Sequence, residues 1–311
     1  MRHHKLALCE IHYPEWFVAQ TERAIRKYRM FGPDDRVLVA VSGGKDSLAL
    51  WDVLLKLGYQ ADGLYIDLGI EGYSDASRDK VERFARTLRT LNVRPSVRPA
   101  PRPAARFTVV DLRAEYGETL PEVARRVRRG RGKPCSVCGL IKRHVMNRVT
   151  RDGGYDVLAT GHNLDDEAAV LFGNVLHWKT GYVARQAPVL SASQEGGGLS
   201  RKVKPFCRFY ERDTAAYALI TGIDYIYDEC PHALGATSLR YKAVLNDMEE
   251  KSPSTKLQFY LGFLRARQEG FFCEQAEEVE LHPCSNCGQP TTAPNLCTFC
   301  RLWKDAVEGE R

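Results

Sequence analysis

The stretch "VLVAVSGGKDSLALWDVLLKLG", residues 37–58, joins an apolar run to a helical pattern through two glycines, a lysine and two serines. RVLVAV, 36–41, is short, apolar and β-branched, as a strand buried on both faces should be. SLALWDVLLKLG then puts Leu48, Trp51, Leu54 and Leu55 on one helical face, with Gly58 as the stop. In an open α/β sheet, ligands bind at the carboxyl ends of the strands, and Ser42–Ser47 occupies that place. Gly43 and Gly44 permit a tight turn whose N–H groups converge on an anion, and the helix starting near Asp46 or Ser47 adds its positive end. Lys45 supplies a mobile cation, and Ser42 and Ser47 supply hydroxyls. A purely structural turn needs neither that lysine nor both serines. The spacing is not GxxxxGK[ST], so the phosphate loop is of another kind.

Outward from this stretch the same alternation continues. ADGLYIDLG, 61–69, reads as a second strand and DASRDKVERFARTLRTL, 75–91, as a helix; FTVVDL and YDVLATG read as further strands. A helix is expected over 15–30, before the first strand, and a mainly helical pattern over 211–267. The fold class is therefore α/β, a doubly wound parallel sheet. The expected organisation is an N-terminal knuckle and helix over 1–30, a nucleotide-binding domain over 31–210, a helical region over 211–275, and a cysteine module over 276–304. VRPSVRPAPRPAARF, 93–107, holds four prolines and four arginines and reads as an extended surface insertion.

The chain has 311 residues, 44% hydrophobic and 27% charged, ordinary for a globular protein, and its net charge of +6 is mildly basic, consistent with a polyanionic partner. No apolar run approaches the ~18 residues of a membrane span. MRHHKLALCEIHYPEWF has no signal-peptide core, so a cytoplasmic location is expected. RRVRRGRGK, Arg125–Lys133, is a dense basic block: either a solvated face or a contact for nucleic-acid phosphates. Of ten cysteines, six fall in CxxC pairs, which in such a chain argues for metal or redox chemistry over disulfides. Cys284-x2-Cys287-x9-Cys297-x2-Cys300 has the form of a four-thiolate zinc site, with Gly288 easing one knuckle. Cys135 and Cys138 follow the basic block, and Cys230 is remote in sequence. This trio could hold a 4Fe–4S cluster with one iron left open, or act as a persulfide and disulfide relay. Cys207 and Cys273 match no motif and read as packing residues.

SGGKDS resembles the PP-loop of the ATP-pyrophosphatase superfamily, which holds the pyrophosphate of ATP while an oxygen is adenylated. Taken with LALCEIHYPEWF, ERAIRKYRM, CSVCGLIKR, ATGHNLDDEAAVLFGN, DECPHALGATSLRYK and CSNCGQPTTAPNLCTFCRLW, in that order, the chain resembles the tRNA 2-thiouridine synthetases of the two-thiouridine synthetase A type. The match runs from about residue 5 to 304. The resemblance implies ATP and Mg2+ at Ala40, Ser42, Gly43, Gly44, Lys45, Asp46 and Ser47, with Ile66 near the adenine and Gly161 near the nucleotide. It implies catalytic roles for Asp46, Lys142 and Asp166, with Lys142 also an ATP-binding residue that would neutralise charge on the α-phosphate, although NLDDEA alone would read as a capped helix start. It implies a 4Fe–4S cluster on Cys135, Cys138 and Cys230, tRNA as substrate, a ubiquitin-like thiocarboxylated sulfur carrier protein as donor, no membrane association, and a homodimer.

The activity so implied is adenylation of uridine O2 and its replacement by sulfur, at tRNA position 54. The alternatives are thiolation of the wobble uridine, or a PP-loop ligase or amidotransferase delivering nitrogen to RNA. The family carries a CxxC upstream of a Cys-x2-His; here Cys9 and His12 stand alone as N-terminal zinc ligands, with His3 or His4 as further candidates. The missing knuckle is expected upstream of Met1.

Overall fold

A computed structural model of the chain describes residues 7–90, 105–129, 131–193, 198–233, 235–272 and 280–308. His3, His4, Cys273 and most of the Pro/Arg-rich stretch lie outside them. The helix α1 (His12–Lys27) precedes the strand β1 (Arg36–Val41), and the glycine loop leads into α2 (Lys45–Lys56). β2 (Gln60–Asp67), α3 (Tyr73–Thr90), β3 (Phe107–Asp111), α4 (Leu112–Tyr116) and α5 (Leu120–Arg126) follow. Next come α6 (Pro134–Asp152), β4 (Val157–Thr160), α7 (Leu164–Leu176), α8 (Thr180–Arg185), β5 (Val189–Leu190) and β6 (Lys202–Val203). The helices α9 (Glu211–Ile220), α10 (Thr237–Lys251) and α11 (Thr255–Gln268) lead to the short strands β7 (His282–Pro283) and β8 (Pro290–Thr291) and to α12 (Thr298–Glu308).

The main sheet has the order β3-β2-β1-β4-β6-β5 and is parallel except for β5 at its edge. The fold is thus the doubly wound α/β class that the alternation predicts. β1 is central, and Val37, Leu38 and Val39 are fully buried because helices cover both faces. One face packs α1, α2 and α9 around Phe17, Trp51, Phe206 and Tyr217; the other packs α6 and the C-terminal module around Leu38, Val137, Ile141 and Phe299. In α2, Leu48, Trp51 and Leu54 are fully buried, and the chain turns at Gly58 with φ of 81°.

The first helix begins three residues before the expected Glu15, because Tyr13 is already buried and donates its hydroxyl to the carbonyl of Asp213 at 2.9 Å. It ends at Lys27 where Arg29 turns left-handed, with φ of 49°, so Met30 belongs to the core rather than to the helix. No described helix is long and apolar enough to cross a membrane.

Candidate functional site

The glycine loop crosses from β1 to α2 at the carboxyl edge of the sheet. Gly43 has φ of 80°, and a Cβ there would lie 2.7 Å from the carbonyl oxygen of Ser77, so both its backbone conformation and the close approach of α3 require glycine. Ser47 donates its hydroxyl to the Gly44 carbonyl at 3.0 Å and accepts from the Ser42 N–H at 3.0 Å, which fixes the loop against the helix it feeds. Helix α2 starts at Lys45, so the first-turn N–H groups face the loop opening without intrahelical partners. Gly161 backs this loop from the end of β4; a Cβ on it would stand 2.9 Å from the Asp46 carbonyl.

Lys45 Nζ lies 3.1 Å from Asp46 and 2.8 Å from Glu211, the first residue of α9. Asp46 accepts from the Asn163 amide at 3.1 Å and from the Thr214 hydroxyl. Burial pushes the Asp46 carboxyl up, Lys45 and these donors oppose that, and the charge of Asp166 adds to it. Asp166 both accepts from the Asn163 N–H and donates its own N–H to the Asn163 side chain, each at 3.1 Å: the capped helix start read from NLDDEA. Its other oxygen lies 2.6 Å from Lys242 of α10, which also reaches Glu211 at 3.1 Å. Burial raises the Glu211 carboxyl, but the hydrogen bond from Lys45 and the charge of Lys242 outweigh it and bring it down to about 2. Asp46 and Asp166 thus belong to one network of two lysines and three carboxylates at the loop mouth.

The cysteine trio is assembled beside it. Cys135 and Cys138 lie in the first turn of α6, and Cys230 immediately precedes a short 3-10 turn, Pro231–Ala233, that packs on α6. The Cys135 thiol donates to the His232 carbonyl at 3.1 Å. Burial pushes the Cys138 thiol up, the charge of Lys142 holds it back, and Cys230 and Cys135 push it up further, so Cys138 feels both other sulfurs of the trio. The charge of Lys142 bears on Cys138, whereas the resemblance places it at the α-phosphate; among the described residues no hydrogen bond or ion pair joins it to the Lys45–Asp166 network. The segment entering Cys230 crosses the glycine loop, where the Ile226 N–H donates to the Gly43 carbonyl at 2.9 Å. Four residues of chain span at most about 14 Å, which bounds the distance from that contact to Cys230. Ala40, in register with Leu64 and Thr160, and Ile66, in register with Val110, are half-buried on the face of the sheet that packs α6.

Cys284, Cys287, Cys297 and Cys300 bring their sulfurs within 4.8 Å of one another, in the β7–β8 hairpin and the first turn of α12. Cys287 and Cys297 are 3.8 Å apart at sulfur, close to the edge of a tetrahedron with metal–sulfur bonds of about 2.3 Å. The Cys297 N–H donates to Cys284 sulfur at 3.2 Å; burial raises that thiol, but this and other N–H donors bring it down to about 6, whereas burial pushes the Cys287 thiol up to about 11 and the Cys300 thiol up as well. The module docks on α6 through Phe299, whose ring stacks on His144 at 3.6 Å, and through Gln289, whose amide donates to the His144 carbonyl at 3.1 Å. At the other end of the chain Cys9 sulfur lies 3.1 Å from His12 Nδ1, both exposed; among the described residues no third ligand joins them. Cys207 is fully buried in the core, as a packing residue would be.

Sequence reasoning missed Glu211, Lys242, Thr214 and Asn163. Asn163 and Lys242 stand inside quoted motifs but carried no role, while Glu211 and Thr214 follow no spacing rule and reach the loop only because α9 packs on α2. Arg126, counted in the basic block, is committed elsewhere: it pairs with Glu118 at 2.6 Å and donates to the Leu302 carbonyl at 2.7 Å.

No family model matches the chain. It is 50% identical over 307 residues, 99% of its length and 88% of the relative's, to a tRNA-5-methyluridine(54) 2-sulfurtransferase of Thermus thermophilus. It is 42% identical, over 98% of its length and 92% of the relative's, to the protein of the same name from Thermotoga maritima. Its fold matches that of a U34-tRNA thiolase from Methanococcus maripaludis solved with its 4Fe–4S cluster, with a TM-score of 0.72, 22% identity, and coverage of 98% of this chain and 91% of that one.

Proposed function

Because the chain belongs to the tRNA-5-methyluridine(54) 2-sulfurtransferase family, we propose that it is an ATP-dependent tRNA thiolase that replaces uridine O2 by sulfur at position 54. The observation that supports this reading is the contact at Gly43: the Ile226 N–H donates to its carbonyl four residues before Cys230, so one segment touches both the glycine loop and a cysteine of the trio. A nitrogen-transferring PP-loop enzyme would give that trio no task.

Lys45, the first-turn N–H groups of α2, and the Ser42 and Ser47 hydroxyls bind the pyrophosphate end of ATP, which leaves as uridine O2 bonds to the α-phosphorus. Ile66 and Ala40 offer an apolar wall for the adenine on the face that packs α6. Asp46 and Asp166, hard oxygen donors on adjoining helices that feel each other's charge, would hold Mg2+ on the phosphates. Lys142 bears on the sulfur side, where its charge stabilises anions gathered at Cys138. Cys135 and Cys230 both bear on Cys138, and the three thiols are a donor set that fits a 4Fe–4S cluster. Such a cluster, when bound, supplies an iron without a protein ligand at which sulfide can be held. The four C-terminal cysteines fit zinc in a closed, structural site. Cys9 and His12 are the N-terminal zinc pair in this reading. The sulfur donor is a ubiquitin-like protein with a C-terminal thiocarboxylate, the enzyme works as a homodimer, and its free thiols suit the reducing cytoplasm.

The test is an anaerobic reaction of iron- and sulfide-reconstituted protein with unmodified tRNA, magnesium-ATP and sulfide, followed by digestion and mass spectrometry. ATP-dependent 2-thio nucleoside at position 54 is expected. Sulfur at the wobble uridine would move the substrate position. ATP cleavage without sulfur, with iron retained, would overturn the thiolase reading.

A further inference from the structure

A basic cleft of about 680 Å³ opens between the loop joining α5 to α6 and the start of α12, lined by Arg128, Arg129, Arg131, Lys133, Ser136 and Arg301, with Thr298 beside them. No carboxylate lines it, and no ion pair among the described residues engages its five cations. Arg128, Arg129, Arg131, Lys133 and Arg301 are all exposed. They also crowd one another's neighbours: burial and the charge of Arg129 both push the Arg143 guanidinium down. Like charges left unneutralised on one surface oppose folding, so their retention together points to an anionic ligand.

The position of the cleft narrows what that ligand is. Arg129 Nε donates to Ser136 Oγ at 2.9 Å, and Ser136 follows Cys135, an exposed thiol of the trio. The cleft floor and the sulfur site therefore share one helical turn. The opposite wall, Thr298 and Arg301, lies on the first turn of α12, next to Cys297 and Cys300 of the zinc-type module. We propose that this two-walled cleft binds tRNA backbone phosphates and thereby seats the target uridine over Cys135 and Cys138, the C-terminal module supplying one wall. The proposal rests on the thiolase reading and identifies where its substrate docks. Arginines suit the task, because each guanidinium spans two phosphate oxygens. Carboxylates accept the same forks, so it is the place of the cleft, one helical turn from the thiol trio that would act on the RNA, that favours RNA phosphates over an acidic peptide.

The test measures binding of unmodified tRNA to the full, metal-loaded protein across a salt series. Each lost phosphate contact removes roughly 0.7–0.9 from the slope of log K against log salt. Arg129→Gln with Arg131→Gln should therefore flatten the slope by about 1.5 and weaken binding about tenfold at low salt. Arg301→Gln, on the other wall, should flatten it by about 1, and the double Arg→Lys variant should keep the slope, which controls for loop damage. The loss should appear in KM for tRNA rather than in kcat. Wild-type slope and affinity in both glutamine variants would overturn the proposal, as would intact tRNA binding with lost binding of the thiocarboxylated carrier protein. A wild-type protein that binds tRNA through these residues yet forms no thio nucleoside would sink the thiolase reading and leave the cleft assignment standing.

Discussion

Lys242 of α10 holds Asp166 of α7, with Nζ 2.6 Å from the carboxylate, and shares Glu211 with Lys45 of the glycine loop. One glutamate therefore joins the loop cation to a cation from a helix far along the chain. Burial alone would lower the Lys242 ammonium, yet Asp166 and Glu211 drive it well above its ordinary value, so it stays charged at any working pH. Two ammonium groups converging on one carboxylate at a loop mouth can both turn to a polyphosphate when ATP enters.

Lys242→Met leaves Asp166 and Glu211 facing the loop with one cation fewer. The expected result is a rise of about tenfold in KM for ATP with a comparable loss in pyrophosphate release, since a lost charge-stabilising donor costs roughly 10²-fold at most sites of this type and Lys45 remains. Lys242→Arg should recover most of it. An ATP dependence identical to wild type would place Lys242 outside the nucleotide site.

Glu211 predicts a pH signature in stability. Its carboxyl is held at about 2 against an ordinary 4.5, so its ion pairs stabilise the fold fully above pH 4.5 and lose that contribution as pH falls toward 2. Its side chain is 41% exposed, so the contribution is screened to about 1 kcal/mol, or roughly 2–4 °C in Tm. The gap in Tm between wild type and Glu211→Gln should be present at pH 7 and close between pH 4.5 and 2. A gap that does not change with pH would mean that the pairs with Lys45 and Lys242 do not stabilise the protein.

Activation and sulfur delivery should separate by mutation. Lys45→Met is expected to lower pyrophosphate release about 10²-fold, because Lys45 is the loop's own cation. Cys135→Ser is expected to lose bound iron and the thio nucleoside, with pyrophosphate release affected far less. Iron content, pyrophosphate and nucleoside mass spectrometry on the two variants give the pattern. Full thiolation by Cys135→Ser would remove the trio from the reaction.

How much of this was legible in the sequence follows from how local each signal is. The glycine loop could be read because strand, turn and helix are contiguous, so Val37–Val41, Gly43 and the face of Leu48, Trp51 and Leu54 report one another. The C-terminal quartet was legible for the same reason: its ligands come as two CxxC pairs inside one hairpin and helix. Glu211 and Thr214 were not, because only the packing of α9 on α2 makes them neighbours of Asp46 and Lys45. The start of α1 was misplaced because Tyr13 is anchored by Asp213, a partner 200 residues away that no periodicity reveals.

The C-terminal module should be a metal-dependent wall. Cys297→Ser removes one of four clustered thiols and should lower zinc content by about one per chain, since a closed tetrahedral site needs all four ligands. Loss of the metal should release Phe299 from His144 and Trp303 from its stack on Tyr116, a change visible in tryptophan fluorescence and as faster proteolysis of the C-terminal segment. Unchanged zinc content in the variant would exclude Cys297 as a ligand.

Behind the site, Lys256 and Asp165 form an ion pair at 5% and 6% side-chain exposure, and Asp165 also accepts from the Glu211 N–H at 2.8 Å. Lys256 further donates to Asn246, so the pair ties α10 and α11 to the start of α7. Removing one partner of a buried pair strands the other charge, which costs about 3–5 kcal/mol, whereas replacing both can be nearly neutral. Lys256→Met should therefore lower Tm by roughly 8 °C or more. Lys256→Met with Asp165→Leu should recover a large part of that in Tm. The double variant should nevertheless stay impaired in ATP-dependent pyrophosphate release, because Glu211 loses the carboxylate that anchors its N–H and with it the fixed position from which it reaches Lys45 and Lys242. Recovery of both Tm and pyrophosphate release would show that the pair serves stability alone; recovery of neither would show that its worth lies in specific geometry that apolar packing cannot replace.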